Sequence, residues 1–244
     1  MKKFIKRSLL VLGILVGVLI IFILGYMLKA KSEIKKFTPL ETKWVNEEVL
    51  SIHDAFTNVY LVKSKSGYIA FDAGNNIETV ELELEKMNIS PSEIIAVFLT
   101  HTDGDHVASI PLFEKAEIYL SKEEQRLING EASRFLFFGN KIECEDYNLV
   151  TDNQVVTIEN RSVRCILTPG HTPGSTCYLV NNKYLFTGDA LSIMDGKIKE
   201  FNHFFNMDTE TQLKSIKKLS LLDSVEYIFT AHHGMADDFE IAFN

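Results

Sequence analysis

The first hydrophobic pattern in the chain is also the longest. Residues 8–28 carry no charge, and only Ser8, Gly13, Gly17 and Gly25 interrupt the apolar run. As a helix rising 1.5 Å per residue, this run crosses the roughly 30 Å hydrocarbon core of a bilayer. A secretory signal peptide also joins a basic start to an apolar stretch. This run, however, exceeds the ~7–15 residues of a signal core, and no A-x-A-like site precedes Lys29. It therefore predicts one uncleaved transmembrane helix over about 8–28 and a basic linker completing an anchor of residues 1–36. A folded body follows over 37–244.

Past the linker the period shortens. Strand-like runs cover 58–63 and 68–72, and Ser66-Gly67 between them predicts a hairpin. Ile77, Val80, Leu84 and Met87 recur at helical spacing, and Ser90-Pro91 ends that pattern. The apolar run 94–100 reads as a buried strand. Further strands are predicted at 116–120, 154–158, 162–167, 176–180, 184–186 and 225–229. Leu213, Ile216 and Leu219 predict a helix within 209–222. Many strands with few helices suggest one α/β domain of mixed sheets covered by helices.

Charge sharpens the division. The 244 residues carry 25 Lys+Arg and 33 Asp+Glu, a net −8. The first 36 residues hold eight bases and one acid, Glu33, for +7, which leaves −15 on the body. So acidic a body excludes nucleic acid as the principal partner. Four bases flank each side of the apolar run. The terminal amine and Glu33 break that tie toward a single-pass protein of the cell membrane with its body on the extracytoplasmic side. A composition 46% hydrophobic and 24% charged excludes disorder. Three cysteines without a C-x-x-C pair exclude a disulfide scaffold and a structural zinc finger.

The chemistry lies in the company its histidines keep. His101, Asp103, Asp105 and His106 fall within the stretch THTDGDH directly after the apolar strand. His171 lies in PGHTPGS, Asp189 in FTGDA, and His232 and His233 in FTAHHG. Each segment is an apolar strand followed by a Gly- or Pro-bearing turn with an imidazole or carboxylate. Such strand-end loops converge on one edge of a sheet. Imidazoles and carboxylates without thiolate suit zinc, manganese or iron(II), with positions left open for water. No Gly-x-Ser-x-Gly elbow supports a serine hydrolase.

In this order the motifs resemble those of the metallo-β-lactamase superfamily, whose signature is H-x-H-x-D-H followed by a His, an Asp and a final His. The resemblance runs from about Val49 to His233. It implies an αβ/βα sandwich of two mixed sheets flanked by helices, with a site for two divalent ions, zinc first among them, at one edge. By position, His101, Asp103 and His171 would hold the first ion and Asp105, His106 and His232 the second, with Asp189 bridging. Asp72, in the FDAG stretch, would support the ligands, and Asp105 would orient the nucleophile or return a proton. Two departures stand out. Asp103 replaces the second His of the signature, so that three carboxylates and a shared hydroxide neutralise two divalent ions where the usual set leaves +1. Alternatively, Asp103 only bonds to a ligand. The doublet His232-His233 also offers two candidates for the last ligand, of which strand spacing favours His232. The absence of a cysteine at the Asp189 position argues against antibiotic hydrolysis.

The implied activity is metal-dependent hydrolysis of a small carbonyl substrate, an ester, thioester or lactone. Two other functions fit the same fold: a catalytically silent, membrane-tethered binding or sensing module, and an iron-dependent oxidoreductase. Arg134, Phe135, Phe137 and Phe138 form one candidate lip over the site, and Phe201, His203, Phe204 and Phe205 another; alternatively, these aromatics are ordinary core.

Overall fold

The computed structural model describes residues 2–135 and 137–243. It divides into two compact units, 1–37 and 38–244. The first is a single helix, α1 (Lys2–Ile34). Its segment Leu9–Ile34, whose most apolar 18 residues have mean hydropathy 3.0, is long and apolar enough to cross a membrane, as is many a signal sequence. The helix runs past the expected end at residue 28 into the basic stretch. There Lys29 pairs with Glu33 one turn on, and Lys36 bonds the same carboxylate.

The second unit is built on two sheets. The first has seven strands in sequence order: β1 (Lys43–Trp44), β2 (Val49–Asp54), β3 (Thr57–Lys63), β4 (Tyr68–Phe71), β5 (Ile94–Phe98), β6 (Glu117–Ser121) and β7 (Asn148–Val150). Its first four strands are antiparallel, whereas β4 to β7 run parallel. The second sheet contains β8 (Val155–Ile158), β9 (Arg161–Leu167), β10 (Thr176–Val180) and β11 (Tyr184–Phe186). Beyond a separate ribbon, β12 (Ser192–Met194) and β13 (Lys197–Lys199), it is completed by β14 (Tyr227–Phe229) and β15 (Met235–Ala236). The order is β15-β14-β11-β10-β9-β8, with β11 and β14 parallel.

Period-2 alternation decides what each face meets. On β3 to β5, Tyr60, Val62, Phe71, Ala96 and Phe98 point between the sheets, against Tyr178, Phe186 and Phe229 of the second. The rings are closely stacked, with Phe71 and Phe186 centroids 4.0 Å apart. Leu61, Ala70 and Val97 face the other way, onto Val80 and Leu84 of α2 (Ile77–Lys86). Beyond α3 (Gly104–Val107) and α4 (Gln125–Ile128), the second sheet's outer face is covered by α5 (Thr209–Leu219) and α6 (Phe239–Phe243), through Leu219 and Ala242. Helices on both outer faces of two packed sheets make the predicted αβ/βα sandwich. The helices begin where side chains take up orphaned N–H groups: Asn76 accepts from Thr79 N and Asp208 from Thr211 N.

At one end of the sandwich the sheets are tied by polar bonds. Tyr178 Oη donates to Leu99 O at 2.7 Å and Tyr60 Oη to Thr230 O at 2.8 Å. Asn58 N donates to Ala231 O and Thr176 N to Thr100 O. This is the end where the candidate turns emerge.

Candidate metal centre

The parallel pairs β4–β5 and β11–β14 end level with one another, Phe71 opposite Phe98 and Phe186 opposite Phe229. The residues that follow therefore leave all four strands at the same edge. His101 follows β5, Asp105 and His106 lie in the single turn of α3, and Asp103 precedes it at the N-cap position. His171 sits in the turn between β9 and β10, Asp189 after β11 and His232 after β14.

All seven candidate ligands converge. Three overlapping groups could hold a metal ion: His101, Asp103 and His171; His101, His106 and Asp189; Asp105, His106 and His232. Within each, one ligand atom per residue lies within 4.8 Å of the others. Asp189 stands between the halves, its Oδ1 3.2 Å from His232 Nε2 and its Oδ2 3.5 Å from His171 Nε2. His233 belongs to none of these groups and lies to the side, where burial lowers its pKa.

Each imidazole is aimed by its outer nitrogen. His106 Nδ1 lies 2.9 Å from Asp72 Oδ2, His232 Nδ1 2.7 Å from Phe56 O and His101 Nδ1 3.1 Å from Thr100 Oγ1. His171 Nδ1 faces Asn206 Oδ1 at 3.3 Å. The four Nε2 atoms are thus turned inward, the arrangement that fixes a ligand's tautomer and ring orientation. Asp72 also accepts from Thr100 N and Oγ1, so one carboxylate clamps the strand end and the ring behind which it sits. Glu124 is a second such tie. It accepts from Thr102 N and Oγ1 on one ligand loop and from Thr172 Oγ1 on another, and burial raises its pKa.

Charge at the centre is concentrated, with the four imidazoles and Asp189 buried and Asp103 and Asp105 partly exposed. Burial opposes charging His106, yet the carboxylates of Asp72, Asp105 and Asp189 push its pKa up to about 10. His101, 3.9 Å from it ring to ring, is pulled well down by burial and by its His106 and His171 neighbours. Asp189 is buried, but His232, His106 and His171 hold it ionised far below the usual carboxylate range. Three buried atoms, His101 Nε2, His106 Nε2 and Asp189 Oδ1, have no hydrogen-bond partner. Unpaired polar atoms so close together are costly in a folded protein, and a cation among them would use all three. The residues fit a metal ion.

Asp103 is differently placed. Arg134 Nε donates to its Oδ1 at 2.8 Å and Nη2 to its Oδ2 at 2.7 Å, while Asn140 Nδ2 reaches Oδ1 at 2.9 Å. Burial works the other way, but the bonds from His171 and Arg134 hold this carboxyl well below its usual range. Arg134, a candidate for an apolar lip, lies instead against Asp103 inside the site. Phe135, Phe137 and Phe138 beside it are exposed, whereas Phe201 is buried with its ring 5.2 Å from His171 and 5.7 Å from His232. His203 points outward to Glu200. Glu124, Asn140, Asn206 and Gln212 carry no motif, and only proximity in the fold reveals them.

Comparison with known proteins agrees with this geometry. The chain is 30% identical over 152 residues to a probable metallo-hydrolase of Methanocaldococcus jannaschii, covering 62% of this chain and 63% of that protein. It is 33% identical over 120 residues to a probable polyketide biosynthesis zinc-dependent hydrolase of Bacillus subtilis, covering 48% and 45%. The matched part thus spans less than two thirds of either relative. A metallo-β-lactamase variant from Cronobacter sakazakii shares the fold, with TM-score 0.64 at 17% identity over 80% of this chain and 81% of that one. The family model of the metallo-β-lactamase superfamily matches residues 54–232, from the end of β2 to the last candidate ligand, and the chain belongs to that superfamily.

Proposed function

We propose that the protein is a membrane-anchored, metal-dependent hydrolase of a small ester, thioester or lactone. The observation that carries this reading is the set of inward Nε2 atoms and carboxylates, three of whose atoms are buried and unbonded. Asp105, His106 and His232 would hold one divalent ion, His101, Asp103 and His171 offer a second position, and Asp189 reaches both. Zinc suits these ligands, with manganese or iron(II) as alternatives. A bound ion supplies Lewis acidity there, acidifying water and polarising a carbonyl.

The chain's own side chains do the rest. The histidine rings are already fixed by Asp72, Phe56 O, Thr100 and Asn206, so no reorientation is needed during turnover. Asp105 is the most open of the three carboxylates facing these rings, with 23% of its side chain exposed against 18% for Asp103 and 5% for Asp189. Its carboxylate would take a proton from water and return it to the leaving group. Phe201 closes the inner wall against bulk water. A body of −15 disfavours polyanionic substrates, which supports a small and weakly charged one. The apolar helix α1 would tether this unit to the membrane with the site on the extracytoplasmic side.

Full-length protein in detergent, assayed on an aryl ester, an acyl thioester and a lactone, tests this directly. Turnover should vanish with chelator and return with zinc, and Asp105→Asn should lower kcat roughly 10²–10⁴-fold. Turnover indifferent to metal removal would overturn the reading, and metal binding without any turnover would favour the silent binding module.

A further inference from the structure

Arg134 stands where the first metal position needs open ligand atoms. Its Nε lies 2.8 and 3.0 Å from the two oxygens of Asp103, and its Nη2 2.7 Å from Oδ2. The same Nη2 lies 3.2 Å from His171 Nε2 and donates to Phe205 O at 2.8 Å. His171 Nε2 is thus enclosed between Arg134 Nη2 and Asp103 Oδ2, the latter 3.1 Å away. In either tautomer this nitrogen, which would bind a metal, is engaged by a neighbour within the chain. Asp103 is used as well, since Asn140 Nδ2 adds a further donor to the three contacts of the guanidinium fork. Of that first group only His101 Nε2 is unbonded. Around the other position, His106 Nε2 and Asp189 Oδ1 are both unbonded. A guanidinium stays charged at every working pH and is held here by Asp103 and Phe205 O, with the His171 ring beside it.

We propose that Arg134 is a built-in cation of the first position, binding Asp103 and His171 in place of a metal ion. On the metal-dependent reading above, the protein then holds a single ion tightly, among His101, Asp105, His106, Asp189 and His232. The charge agrees. Asp103, Asp105 and Asp189 carry three negative charges, which one divalent ion and one guanidinium balance. The Asp for His exchange in the signature and the arginine form one unit: a histidine at position 103 would leave the guanidinium without its main acceptor.

The test is metal stoichiometry, independent of turnover. Full-length protein in detergent is stripped with chelator, titrated with zinc, and followed by elemental analysis and by the visible absorption of bound cobalt(II). The wild type should take up one equivalent tightly, with any second binding weaker by about tenfold or more. Arg134→Gln should bind a second equivalent about tenfold or more tighter than the wild type does, with a new cobalt band. Arg134→Lys, which keeps the charge but not the fork, should fall between. Circular dichroism of the stripped variants identifies any that has unfolded, and Asp103→His provides an independent route to the same second equivalent. Two equally tight equivalents in the wild type would overturn the proposal and leave the hydrolase reading intact. A single equivalent in both folded Arg134→Gln and Asp103→His would also overturn it. No binding by the wild type would instead refute the metal-dependent reading itself.

Discussion

Asp72 adopts φ +61°, a left-handed backbone that a non-glycine residue occupies at a cost, and from it one oxygen meets Thr100 N and the other His106 Nδ1. Asp72→Ala removes both bonds while leaving the inward ligands in place. It should weaken zinc binding about 10–100-fold, by competition against a chromogenic chelator. Glu124 works at the same range. Glu124→Ala leaves Thr102 N–H buried without its acceptor, and should destabilise the fold by about 1–3 kcal/mol in urea unfolding. Glu124→Gln keeps an oxygen for Thr102 and should recover part of that loss. At this scale the sequence was legible for the ligands, because imidazoles and carboxylates in strand-end turns are a dense and chemically explicit pattern. It was not legible for Arg134, Glu124 or Asn140. A charged side chain in a loop looks the same whether it meets water or a half-buried carboxylate 31 positions away, as Arg134 does.

Helix α5 shows where periodicity reads an element correctly and its face wrongly. Its helical spacing rested on Leu213, Ile216 and Leu219, yet Leu213 is 46% exposed and the buried positions are Gln212, Ser215 and Leu219. Gln212 accepts from Phe201 N and Asn206 Nδ2 and donates to Asp189 O and Asn206 Oδ1. A fully bonded buried amide thus takes the place of an apolar contact, because this helix supports the Asp189 turn and, through Asn206, His171. Gln212→Leu matches the apolar pattern better but strips those bonds. It should cost about 2–4 kcal/mol of stability and lower zinc affinity together. The last turn of α5 is fastened separately, Lys218 Nζ donating to both oxygens of Asp152 and to Leu167 O. Although burial opposes it, the Lys218 bond lowers the Asp152 pKa below its ordinary 3.8. A depressed carboxylate stabilises the fold above its unfolded pKa and loses that contribution as pH falls through the native value. Asp152→Asn should therefore cost no more than about 1 kcal/mol at pH 7, the pair being well exposed. Wild type and variant should converge in urea titrations as pH drops below 3.8.

At the scale of the whole molecule, the fold is an arrangement for making two sheet edges end together. The strands themselves were legible, since β-branched and aromatic runs bounded by Gly, Pro and Ser mark them. The two-sheet order was legible only through the family motifs, because no local pattern states which strands are neighbours. Bringing the edges together gathers three carboxylates and four imidazoles into one small, largely buried volume, a group that repels itself or leaves atoms unbonded without added positive charge. Much of the stability of the sandwich is therefore tied to that charge. An ion present at about 1,000 times its dissociation constant adds ~4 kcal/mol to a fold that binds it only when native. For a unit of this size each kcal/mol moves the melting temperature by about 2–4 °C, so chelation should lower Tm by roughly 8–16 °C. Differential scanning calorimetry of the full chain in detergent checks this. The shift should reverse with zinc, and it should shrink to near zero in Asp189→Asn, which removes the one carboxylate that reaches both groups of ligands. A melting temperature indifferent to metal would mean that the gathered charges are balanced within the chain, with Arg134 and protonated His106 sufficient to hold the two edges together.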